Sequence, residues 1–308
     1  MVKDAAKGMY IIDTDSRERE SAAIRRIVGS FHQKYVLGPM GLGTLSWVIV
    51  EAQKPGLIPG IVGDVDILAG TMEFSDPVAF RSALERVSGR YPDAHAGFLE
   101  NMAGKEIAEA GGIEWPPKPS HIVGLEVKCS YFDTQPRATK SSPEKVAGIR
   151  KQIEWLTKMG LDRVALLDVI ANPPSGGIDS GAWLAAAAQA QTSLAAAESV
   201  LRERLPSDSP SGQFVWAVGP VVGGDEAARG AGAPRLIRPP LMNPALGRGD
   251  PEVTANRRTL LESITRLLGS QRRPRYFPIV YIDCRKCRSL HLLDDDCLEE
   301  PGLGGSAG

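Results

Sequence analysis

The sequence predicts an α/β fold: a mixed sheet flanked by helices, with a helical insertion and a C-terminal α/β extension. Three observations predict it. Runs rich in Val, Ile and Leu at residues 45–52, 61–69, 122–129 and 163–170 have the length and composition of strands. Between them lie stretches whose apolar residues recur three and four apart, the period of amphipathic helices. The strand–helix–strand step across residues 122–170 needs a crossover, which implies parallel strands and a right-handed connection.

Residues 13–30 read as a helix. Asp15 or Ser16 caps it, and Ala22, Ala23, Ile24, Ile27 and Val28 form its apolar stripe. Glu18 and Glu20 stand in its first turns, where the helix dipole favours acids. Gly38-Pro-Met-Gly-Leu-Gly43 reads as a turn or loop, and it lacks the Gly-Lys-Ser/Thr of a phosphate loop. The runs 45–52 and 61–69, joined by a Pro/Gly turn, read as a hairpin, with Glu51 near the end of its first strand. Asp76-Pro77 opens a helix to about Arg90, with Pro at the first helical position. A second helix is expected over 94–110, and Pro116, Pro117 and Pro119 end the excursion. At roughly 50 residues, the insertion at about 71–119 is too long for a hairpin loop and reads as a helical cap over a cleft.

Ser142-Pro-Glu144 starts a helix that runs to Met159 and closes at Gly160. Beyond it come a strand at 163–170, an Ala-rich helix at 179–205 and a strand at 213–222. Residues 223–250 read as a Gly/Pro-rich connection. A helix at 251–270 follows, with Leu260, Leu261, Ile264, Leu267 and Leu268 on one stripe, and 277–283 reads as the last strand. The order divides the chain into a core at 1–172 and an extension at 173–308.

Composition narrows the function. The chain is 43% hydrophobic and 24% charged, as in soluble globular proteins, and no run of about 18 apolar residues implies a membrane span. Four cysteines without an apolar leader-like start point to the cytoplasm. A net charge of −1 does not advertise a nucleic-acid partner for the chain as a whole. Between Arg235 and Arg288, however, twelve Lys or Arg face four Asp or Glu. Arg272, Arg273 and Arg275 in that stretch are the expected phosphate contacts.

The chemistry gathers in two of the apolar runs. Glu126 and Lys128 are two apart in Ile122-Val-Gly-Leu-Glu-Val-Lys-Cys129, so a strand sets them on one face. Burying either charge costs several kcal/mol unless it is paired or bound. Asp64 and Asp66 punctuate the run 61–69 in the same way. If these two strands pair, cross-strand geometry brings Asp66 and Glu126 within roughly 5 Å. Two such carboxylates repel unless a cation or proton lies between them, and hard oxygen donors with room for water suit Mg2+ or Mn2+.

Gly63-Asp-Val-Asp-Ile-Leu-Ala69 and Gly124-Leu-Glu-Val-Lys-Cys129 together resemble the PD-(D/E)XK nuclease superfamily, the restriction-endonuclease-like fold. The acid-x-Asp and Glu-x-Lys pattern is similar to that of the resolvase-like branch, and Glu126 to Lys128 is the only Glu-x-Lys in the chain. The Pro that precedes the first acid in the family pattern is absent here. The resemblance implies that Asp66, Glu126 and the Val127 carbonyl hold the metal, that Asp64 joins them or binds a second ion, and that Lys128 orients the attacking water. It also makes Glu20 and Gln152 candidate additions to the site; Glu51, at the hairpin's end, is a third candidate by position, against the favoured alternative of a strand-end surface acid. The implied activity is metal-dependent hydrolysis of nucleic acid, DNA above all, in a bacterial restriction, repair or phage-defence setting.

Two other classes compete. One is a catalytically inactive subunit of the same fold that binds nucleic acid, assembles with a partner protein or forms a homo-oligomer. The other is a different Asp-x-Asp enzyme, such as a nucleotide-sugar transferase, for which no nucleotide-binding strand–turn–helix precedes Asp64. Separately, Cys284, Cys287, His291 and Cys297 offer four ligands for a structural Zn2+ in the tail 284–297, against the alternative of ordinary thiols.

Overall fold

The computed structural model of the 308-residue chain describes residues 3–4, 9–10, 24, 33–43, 46–52, 65–71, 76–94, 96–111, 120–131, 143–171, 201–218, 234–269, 279–284 and 289–292. In chain order the elements are β1 (Lys3–Asp4), β2 (Met9–Tyr10), α1 (Gln33–Leu37), β3 (Ser46–Ala52), β4 (Val65–Thr71), α2 (Pro77–Arg90), α3 (Ala96–Glu109) and β5 (Ile122–Tyr131). There follow α4 (Pro143–Lys158), β6 (Arg163–Ala171), β7 (Gly212–Val218), β8 (Arg235–Arg238), α5 (Pro244–Gly247), α6 (Pro251–Gly269), β9 (Ile279–Cys284) and β10 (Ser289–Leu292). The chain is α/β, and it divides into two units, 1–41 with 123–254 and 42–122 with 255–308. The expected core boundary at 172 falls inside the first of these.

In the first unit the strand order is β5-β6-β7-β8. Strands β5 and β6 are parallel, as the intervening helix requires, and β7 adds in parallel to β6. Strand β8 closes the set antiparallel to β7, with a register shift between Gln213 and Phe214. Helix α4 buries Ile149, Ile153 and Leu156, a stripe spaced by four and three. Gly160 ends it at a φ of +80°, where a residue with a Cβ would be strained. Asn243 then ties the helix end to the next segment. Its Nδ2 donates to Thr157 O at 2.8 Å and Leu161 O at 3.0 Å, and its Oδ1 caps α5 by accepting from Ala245 N at 3.0 Å. The side chains of Leu125, Val127, Leu166, Leu167, Phe214 and Trp216 fill the interior of the sheet.

The second unit has the strand order β10-β9-β3-β4. Strands β3 and β4 form the expected antiparallel hairpin, from Ser46 opposite Thr71 to Ala52 opposite Val65. Trp47 lies across from Gly70, and a Cβ at that glycine would stand 2.4 Å from the indole. Strand β9 pairs in parallel with β3, and β10 returns antiparallel to β9. Asp76 caps α2, its Oδ1 accepting from Val78 N at 2.9 Å and Ala79 N at 3.0 Å, with Pro77 opening the helix as expected. The insertion does carry two helices, α2 and α3. Arg86 and Arg90 of α2 both reach Glu106 of α3, and Tyr91 meets Phe98 edge to face at 5.4 Å.

Four readings need correction. The stretch 223–250 is not connection throughout, because β8 and α5 lie within it. The strand near 277–283 is not the last, because β10 pairs with it. Each of these overlooked elements has four residues, too few to display a period. The stripe of α6 buries Leu260, Ile264, Leu267 and Leu268, whereas Leu261 is half-buried. Helix α1 was not expected. The helix read over 13–30 lies outside the described residues except at Ile24, which is helical and buried.

Candidate functional site

Strand β5 is buried without interruption from Ile122 to Val127, and Glu126 is part of that buried run with 2% of its surface exposed. A carboxylate so placed needs a cation, because desolvation otherwise drives it neutral. The strand itself provides one. Lys128, two residues on and therefore on the same face, sets its Nζ 2.5 Å from Glu126 Oε1. The two ends of this pair differ in access, since the Lys128 side chain is 25% exposed. The structure thus brings together the two residues that the sequence placed in one strand.

The neighbouring strand adds an acid that the sequence reading missed. Asp168 of β6 lies directly across from Lys128 of β5, and Leu166 across from Glu126. Partners in register share a face, so Glu126, Lys128 and Asp168 lie on the same side of the sheet. Asp168 is completely buried. It forms an ion pair with Arg204, whose side chain is itself buried, and Oδ2 accepts from Gln213 Nε2 at 3.2 Å. Gln213 Nε2 also donates to Leu201 O at 2.5 Å. The backbone that carries Arg204 is held in turn by Arg150 of α4, which donates to Arg204 O at 2.9 Å and Glu203 O at 2.7 Å. Burial pushes the Asp168 carboxyl up to about 6, against the opposing pull of Arg204, of the Gln213 hydrogen bond and of the Lys128 charge.

A signal for Asp168 was present. It is the single acid in the run Val164–Ile170, the same kind of anomaly that singled out Glu126. Arg204 and Gln213 gave no such signal, because their role depends on how the chain returns to β6.

The remaining candidates are distributed as follows. Asp66 lies in β4 of the second unit and is half-buried. The flanking pairs Val50 with Ile67 and Ala52 with Val65 set Glu51 across from it in the hairpin register; the Glu51 side chain is outside the described ones. Val127 is buried in β5, and Gln152 is exposed on α4. Glu20, Asp64, Arg272, Arg273, Arg275, Cys287 and Cys297 lie outside the described residues. Cys284 pairs with Ser289, and His291 with Ile282, in the β9–β10 hairpin. In the basic stretch, Arg235 is exposed, while Arg238 donates to Pro206 O at 2.5 Å.

Among the described residues, no three His, Cys, Asp or Glu side chains gather as a metal cluster, and no helix is long and apolar enough to cross a membrane. No family model, curated protein or solved structure matches the chain.

Proposed function

We propose that this chain is a divalent-metal-dependent nuclease that hydrolyses phosphodiester bonds, with DNA as the polymer and a restriction-endonuclease-like core. The observation that carries the reading is the buried Glu126 carboxylate paired with the partly exposed Lys128 on one strand face. Its donor chemistry fits the ion. A hard oxygen donor in an apolar strand favours a positive charge beside it, and Lys128 Nζ at 2.5 Å already answers that demand. Mg2+ and Mn2+ are commonly held by one or two carboxylates, with water and phosphate completing the shell. Glu126 and the Val127 carbonyl would hold it from β5, and the family pattern would add Asp66, with Asp64 as a further acid.

When bound, such an ion polarises the phosphoryl oxygen and lowers the pKa of a coordinated water. Lys128 would orient the attacking water and stabilise negative charge developing on the phosphoryl oxygens. Water would add to phosphorus as it gives up a proton to solvent, and the bond from phosphorus to the leaving sugar oxygen would break as that oxygen takes up a proton. Arg272, Arg273 and Arg275 would supply phosphate contacts that place the polymer.

The same ion pair also suits a second reading, an inactive nuclease-fold subunit that binds nucleic acid or a partner protein. In that case Lys128 alone neutralises Glu126 and no metal is needed. A melting titration separates the two. Mn2+ at about 100 times its Kd should stabilise the wild type by about 2.7 kcal/mol through mass action. Glu126→Gln and Asp66→Asn should each remove the shift. An unshifted wild type would favour the metal-free subunit.

A further inference from the structure

We infer that Asp168 is a positioning residue for Lys128: it is the second anion that holds the lysine ammonium, and so it lets Glu126 exchange its lysine for a divalent cation. This inference rests on the metal-dependent reading above and deepens it.

The geometry supports it at three points. Lys128 and Asp168 face each other in register on parallel strands, with backbones about 4.8 Å apart. Glu126 lies two residues back on the same face, so both carboxylates share the lysine's side of the sheet. The Asp168 carboxylate is fixed in place. Arg204 holds one oxygen, Gln213 the other, and Arg150 holds the backbone of Arg204. Lys128 is the adaptable member, with a flexible four-carbon stem and a quarter of its side chain exposed.

Charge accounts for the arrangement. Arg204 alone would neutralise Asp168, and Lys128 alone would neutralise Glu126. When a divalent cation occupies Glu126, the ammonium loses its anion and is repelled by the ion. A fixed anion across the strand gives it a second place to stay. The influence of the Lys128 charge on the Asp168 carboxyl is consistent with this proximity. Without Asp168 the lysine would compete harder for Glu126, and cation binding would weaken.

The test is a double-mutant cycle read by calorimetric Mn2+ binding to the full chain. Asp168→Asn should raise the Mn2+ Kd about tenfold in the wild-type background, and less than about threefold once Lys128→Ala has removed the competitor. Gln213→Met, which removes the donor to Oδ2 and keeps its volume, repeats the cycle if Asp168→Asn does not fold. It should show the same background dependence at about threefold. An equal rise in both backgrounds would overturn the inference, because Asp168 would then act without the lysine. Absence of Mn2+ binding in the wild type would instead defeat the proposed function itself.

Discussion

Glu126 and Asp168 stand on adjacent parallel strands of the same unit, each in an apolar run and each buried, yet their surroundings are opposite. Asp168 is enclosed with partners that are themselves buried, the Arg204 guanidinium and the Gln213 amide. Glu126 is paired with a lysine that reaches solvent. The enclosed acid belongs to a fixed network that joins β6, β7 and the segment around Leu201. The other acid has a cation whose side chain is partly exposed. Burial alone therefore does not distinguish the two acids; the solvent access of the counter-charge does.

Truncation should expose that difference most strongly. Asp168→Ala leaves the buried Arg204 without its anion, and removing one partner of a buried pair costs about 3–5 kcal/mol. Glu126→Ala leaves the partly exposed Lys128 within reach of water and across from Asp168, so its cost should be about 1 kcal/mol. Urea unfolding of both variants checks the comparison. Equal losses would mean that Glu126 is as enclosed as Asp168 and would remove the distinction.

A pH series sharpens the same contrast by a smaller amount. Burial holds the folded Asp168 carboxyl at about 6, above its usual 3.8. Between those values the folded chain keeps a proton that the unfolded chain releases. The stability from this group is therefore full below about pH 4 and is lost as pH rises through about 6. The change amounts to about 3 kcal/mol. Unfolding of the wild type and of Asp168→Asn at about pH 4.5 and about pH 7.5 should show the extra decline only in the wild type. Parallel behaviour would mean that Arg204 keeps Asp168 ionised throughout.

The fold was legible wherever local chemistry repeats. Asp76-Pro77 announced α2 through its cap and its first-turn proline, and Ser142-Pro-Glu144 with Gly160 announced the two ends of α4. The helix between β5 and β6 announced their parallel pairing. The site was legible only in part. Glu126 and Lys128 were visible because their spacing matches the strand period. Asp168 obeyed the same rule as Glu126 but stood alone in its run. Arg204 and Gln213 lie 36 and 45 residues from Asp168 along the chain, so no local pattern connects them to it. Strands β8 and β10 escaped because four residues make too short a repeat.

The most direct measurement is cleavage. Single- and double-stranded DNA and RNA would be incubated with the wild type and with Lys128→Ala, in Mn2+ and in chelator. The account predicts Mn2+-dependent cleavage of DNA by the wild type, abolished by chelator. It predicts a loss of at least about a hundredfold in Lys128→Ala while cooperative unfolding is retained. Undiminished cleavage by Lys128→Ala, or cleavage indifferent to the chelator, would contradict it.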